Sequence, residues 1–108
     1  MSTVIVGPDK DGQEVTASIH DVIILKLPES PTTGVRWGFD RLEGPVELAG
    51  DSYERPDSSS GIGAMTSRLL TLQPKSPGNV SVRLKRWQEW EGDSSIDATF
   101  SCVIKISN

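Results

Sequence analysis

The two side chains most often used together as nucleophile, general base or zinc ligand are scarce in this chain. Cysteine and histidine each occur once, as Cys102 and His20. A cysteine nucleophile needs a base beside it to draw off the thiol proton, and a zinc site needs three or four converging ligands. Cys102 alternates with Phe100 and Ile104 at a spacing of two, the pattern of a strand's core face, where a free thiol acts as a small hydrophobe. His20 stands beside Asp21, just before the apolar run from Val22 to Leu27, where a turn is expected. The HExxH, phosphate-loop and GxSxG patterns are all missing. No enzyme is expected, and neither a metal nor a cofactor.

Recognition chemistry is better represented, in three segments. The first is Ser30-Pro31-Thr32-Thr33-Gly34-Val35-Arg36-Trp37. Pro31 fixes its own backbone and pushes Ser30 toward an extended conformation, while Gly34 accepts backbone angles that a side chain opposes. Thr32 and Thr33 are then held on a stiff tip with little entropy left to lose on binding. The same composition also suits a plain turn between strands. The second segment, Ser58-Ser59-Ser60-Gly61-Ile62-Gly63-Ala64, has glycines that let a backbone lie close to another surface, or simply let a loop flex. The third, Trp87-Gln88-Glu89-Trp90-Glu91-Gly92, carries two indoles, and Trp is a frequent interface anchor. One of the two can equally fold back on the domain.

Short alternating strands must position these segments. Val15, Ala17 and Ile19 alternate with polar neighbours. A compact apolar run ends at Pro28, which cannot donate to a ladder. Val35, Trp37 and Phe39 give another strand, and Val46 to Tyr53 a weaker one broken by Gly50. Arg55 to Gly63, with Pro56, three serines and two glycines, reads as a long mobile loop. Alternation returns from Met65 or Thr66 to Gln73, over Val80, Val82 and Leu84, and from Phe100 to Ile106. About seven antiparallel strands with no helical period imply an all-β, immunoglobulin-like β-sandwich. At 108 residues the chain is expected to be one domain spanning 1–108, with residues 1–13 an edge strand or a loose arm.

Taken together, the three segments resemble the chagasin family, protein inhibitors of papain-like cysteine peptidases. That family has an immunoglobulin-like fold with three loops at one end. They carry an Asn-Pro-Thr-Thr-Gly-aromatic motif, a glycine-rich motif and an Arg-Pro-Trp motif. Pro31, Thr32, Thr33 and Gly34 match the first, Gly61 and Gly63 the second, and Gln88-Glu89-Trp90 aligns with the third. Ser30 replaces the family's Asn, Val35 an aromatic residue, and Gln88 and Glu89 its Arg and Pro. An alternative register for the third motif uses Arg86 and Trp87. The resemblance implies a reversible, competitive inhibitor that occludes the peptidase cleft. It implies peptidase-binding roles for Pro31, Thr32, Thr33, Gly34, Gly61, Ile62, Gly63, Ala64, Gln88 and Trp90, and no catalytic residue.

Composition narrows the partners further. The net charge is -4 and no run of Lys or Arg exceeds two, so neither nucleic acid nor an anionic membrane is an expected partner. A papain-like peptidase is the expected partner, met by a monomer. Met1 to Gly12 has neither a positive stretch nor an apolar one. Location therefore stays open between the cytoplasm and secretion with a signal outside this chain. The rival reading is an immunoglobulin-like adhesion or carbohydrate-binding module that stacks a ligand on Trp87 and Trp90. It explains the indoles and leaves Pro-Thr-Thr-Gly without a role.

Overall fold

The computed structural model describes residues 2–29, 35–54 and 66–108, with backbone alone at 89, 90 and 93. Eight strands form among them: β1 (Thr3–Val6), β2 (Gln13–Ser18), β3 (Val22–Glu29), β4 (Arg36–Glu43), β5 (Val46–Glu54), β6 (Thr66–Pro74), β7 (Gly78–Trp87) and β8 (Ala98–Ser107). They build two four-stranded sheets, ordered β1-β3-β6-β5 and β2-β8-β7-β4. The all-β sandwich expected from the alternation is the architecture found.

Alternation along the central strands is what joins the sheets. Ile23, Leu25 and Leu27 of β3 are buried with Leu70 and Leu72 of β6 in the first sheet. Val80, Val82 and Leu84 of β7 and Phe100, Cys102, Ile104 and Ile106 of β8 are buried in the second, in the same cluster. Each fully buried Leu, Ile or Phe contributes about 1.5–3 kcal/mol, so these four strands carry most of the core. Burial pushes the Cys102 thiol up to about 11, with a smaller push from Asp11, so the thiol stays protonated near neutral pH.

The start of the chain supplies the strand beyond seven. β1 runs parallel to β3 at the edge of the first sheet, and Val6 is buried. After a 3-10 turn at Pro8–Lys10 the chain crosses over, and β2 runs parallel to β8 in the second sheet. The four remaining strand pairs are antiparallel. β1 has only four residues, too few for its alternation to stand out in the sequence.

β5 also differs from expectation. Gly50 does not break it: the strand continues through a bulge between Leu48 and Gly50. It lies at a sheet edge and is largely exposed, with Glu47, Asp51 and Glu54 to discourage pairing with another chain. The tight β4–β5 connection depends on Gly44, whose φ of +130° puts a hypothetical Cβ 2.6 Å from the Asn79 carbonyl oxygen.

Candidate functional site

The strand registers bring the ends of all three candidate segments to one end of the sandwich. In the first sheet Glu29 lies opposite Thr66, and Glu54 opposite Ser67. In the second sheet Arg36 lies opposite Trp87, and Arg86 opposite Ala98. The chain therefore leaves for 30–34, for 55–65 and for 88–97 from neighbouring strand ends, and returns to them. Pro31, Thr32, Thr33, Gly34, Gly61, Ile62, Gly63 and Ala64 lie outside the described residues, as does the expected mobile stretch over residues 55–63.

At this end the inward face of the first sheet turns from apolar to ionic. After Ile23, Leu25 and Leu27, the next inward position of β3 is Glu29, which is fully buried. Its carboxylate takes three donors. The Trp37 backbone N–H reaches Oε2 at 2.9 Å, Arg68 Nη1 reaches Oε2 at 3.0 Å, and the Tyr53 hydroxyl reaches Oε1 at 2.5 Å. Arg68 also forks onto Asp51, with Nε and Nη2 on its two oxygens. That pairing holds the Asp51 carboxyl below its ordinary range and raises the Arg68 guanidinium above its own. Donation to Glu29 likewise raises the Tyr53 phenol. A buried carboxylate is tolerated only when paired and hydrogen-bonded, and Glu29 meets that condition.

A second set of contacts joins the two sheets at the same end. The Trp37 indole donates to the Pro28 carbonyl at 2.8 Å, and Arg86 Nη1 approaches the same oxygen at 3.3 Å. Arg86 forks onto Asp97 at 2.8 and 3.2 Å, and its guanidinium lies 5.6 Å from the Trp37 ring centroid. Arg86 is thus committed to bracing the sandwich. Trp87, the other member of the alternative register, belongs to β7. The Lys85 ammonium sits 3.7 Å from its ring centroid.

The third segment has a compact frame of its own. After β7 the backbone enters 3-10 turns over Glu89–Ser95, interrupted at Gly92, whose φ is +73°. Ser95 closes the frame. Its hydroxyl accepts the Gln88 N–H at 2.9 Å and lies within hydrogen-bonding distance of the Gln88 and Gly92 carbonyls. The Glu91 N–H adds a bond to the Gln88 carbonyl at 3.0 Å, and the Asp97 N–H one to the Arg86 carbonyl at 3.0 Å. Gln88 is partly buried at the base of this frame, and the Trp90 backbone lies within it.

Sequence reasoning named the segments but missed their supports, Glu29, Tyr53, Arg68, Asp97 and Ser95. A signal existed for two of them. Glu29 and Arg68 are charges at positions where alternation with Leu27 and with Leu70 calls for apolar residues.

Comparison with known proteins adds an independent finding. A sequence profile described as Chagasin family peptidase inhibitor matches residues 16–104. Chagasin of Trypanosoma cruzi is 28% identical over 102 residues, spanning 90% of this chain and 92% of chagasin. Among solved structures, the cysteine protease inhibitor EhICP2 from Entamoeba histolytica matches with a TM-score of 0.86 at 22% identity, over 98% of this chain and 96% of that one. PbICP-C, solved in complex with falcipain-2, matches with a TM-score of 0.57 at 12% identity, over 99% and 98% of the two chains.

Proposed function

This chain belongs to the chagasin family of peptidase inhibitors, which are not enzymes, and we propose that it is a reversible, competitive inhibitor of papain-like cysteine peptidases that fills the active-site cleft with three loops. The observation that carries this reading is the convergence of the three segments' strand ends at one end of the sandwich. The complex of PbICP-C with falcipain-2 supports a cysteine peptidase as partner. The domain acts as one unit over residues 1–108, as a monomer and without a cofactor.

In this mechanism Pro31 and Gly34 set the first loop so that Thr32 and Thr33 lie over the catalytic cysteine. They offer backbone and hydroxyl groups there without a peptide bond in attack geometry. Gly61, Ile62, Gly63 and Ala64 run along one wall of the cleft, where backbone hydrogen bonds act as in strand addition. Trp90, on the frame that begins at Gln88, packs on the opposite wall and supplies apolar burial. The stiff first loop loses little conformational entropy on docking. Variants should accordingly differ in dissociation rate more than in association rate.

Because occlusion forms no bond to the catalytic sulfur, the complex should survive chemical blocking of that sulfur. Papain whose cysteine is capped as a small methyl disulfide is expected to co-elute with this protein in gel filtration, and to release it on dilution. A complex that forms only with the free thiol would replace occlusion with a covalent mechanism.

A further inference from the structure

We propose that Glu29 is a positioning residue for inhibition, its buried carboxylate holding the stems of segment 30–34 against the stems of segment 55–65 so that the first two loops are set as one unit. The inference rests on the three-loop reading above and deepens it.

The geometry behind it is a matter of which strand ends meet at one group. Glu29 is the last residue before segment 30–34, and the Trp37 N–H that it binds lies just after that segment. Tyr53 lies just before segment 55–65 and Arg68 just after it, and both donate to the same carboxylate. All four strand ends that bracket the two segments thus converge on two oxygen atoms. Thr66, the first residue of β6, adds a bond from its hydroxyl to the Glu54 carbonyl at 2.6 Å, closing the second stem on itself. The third segment is framed by Ser95 and the Arg86–Asp97 fork, and it meets the first stem through Arg86, at the Pro28 carbonyl and the Trp37 ring, rather than through the Glu29 carboxylate.

Apolar packing alone does not call for this carboxylate. A buried ion pair seldom outperforms well-packed apolar side chains of similar volume, and Leu27 shows an apolar residue at the preceding inward position of the same strand. A hydrophobe at position 29 would fill space yet leave the Trp37 N–H, the Tyr53 hydroxyl and one edge of Arg68 without their acceptor. What the carboxylate adds is direction. Three donors from three strands fix where each stem ends, and each segment starts and finishes from those fixed ends.

The test is Glu29→Gln, which keeps shape and one acceptor oxygen and loses the charge. It is read at a temperature where the variant is fully folded. Two readouts are compared with wild type: backbone amide NMR signals, and inhibition of papain. Amide signals of both residues 32–34 and residues 61–64 are expected to shift, while those of Gln88 to Ile96 shift less. Inhibition is expected to weaken on the order of tenfold, about 1.4 kcal/mol, as misplaced loops dock less well. The penalties of Thr33→Ala and Ile62→Ala should shrink in the Glu29→Gln background, whereas that of Trp90→Ala should add in full.

A merely structural Glu29 would lower the melting temperature and leave inhibition by the folded protein unchanged. That result would overturn the proposal. So would amide shifts confined to one of the two segments, or full additivity of Glu29→Gln with Thr33→Ala. If wild type itself fails to inhibit papain, the three-loop reading fails, and the amide signals still decide whether Glu29 couples the two segments. Should Glu29→Gln not fold, Tyr53→Phe removes only the phenol's hydrogen bond and carries the same expectations at smaller size.

Discussion

Alanine at both Thr33 and Trp90 is expected to raise the inhibition constant for papain by about a hundredfold. A buried tryptophan anchor is worth at least ~2 kcal/mol on truncation, and a hydroxyl that meets a partner about 1 kcal/mol. The two residues belong to different segments, 30–34 and 88–97, so their effects should add. A total of about 3 kcal/mol corresponds to about two decades of affinity. Lys105→Ala serves as the control. Lys105 pairs with exposed Glu14 and lies opposite Asn79, toward the far end of the sandwich. An exposed change of that kind should move the constant by no more than about 0.5 kcal/mol. Equal small effects from the double variant and the control would remove the loops from the interface.

Arg68→Ala is expected to cost the fold about 3–5 kcal/mol, the usual result of stripping a buried charge of its partner. Glu29 is fully buried, and the Arg68 side chain is only 13% exposed, so water does little to compensate. Against a total stability of about 5–15 kcal/mol, the loss should lower the melting temperature by roughly 12 °C or more at ~4–8 °C per kcal/mol. Asp51 loses its partner as well, but it is half exposed and contributes less. The second variant, Glu29→Gln with Arg68→Ala, should be more stable than Arg68→Ala alone, because a neutral amide needs no cation. Thermal denaturation of both would check the pair. A double variant that is less stable than Arg68→Ala would mean that the carboxylate is held mainly by Tyr53 and the Trp37 N–H.

How far the sequence reaches is clearest at particular residues. The alternation of Ile23, Leu25 and Leu27, of Val80, Val82 and Leu84, and of Phe100 to Ile106 is strict, and those strands stand where the pattern puts them. β1 was harder to see because four residues at an edge bury only one side chain completely. Its parallel pairing was harder still, since register between distant strands depends on contacts that no local pattern encodes. At the site, Pro-Thr-Thr-Gly and the paired glycines stood out through backbone chemistry carried by single residues. The Glu29–Arg68 bond joins positions 39 residues apart, and its only local trace is a charge where an apolar residue was due. Ser95 offered even less, because a serine in a polar loop is ordinary until its hydroxyl is found between two turns.

The three-loop mechanism is tested most directly by titrating the folded protein into papain with a fluorogenic peptide substrate at several substrate concentrations. Inhibition that is reversible, reaches half-effect at submicromolar protein and weakens as substrate rises is the expected result. Folded protein that leaves papain and several cathepsins fully active, or that inhibits them independently of substrate concentration, would contradict occlusion of the cleft and turn attention to a ligand stacked on Trp87 and Trp90.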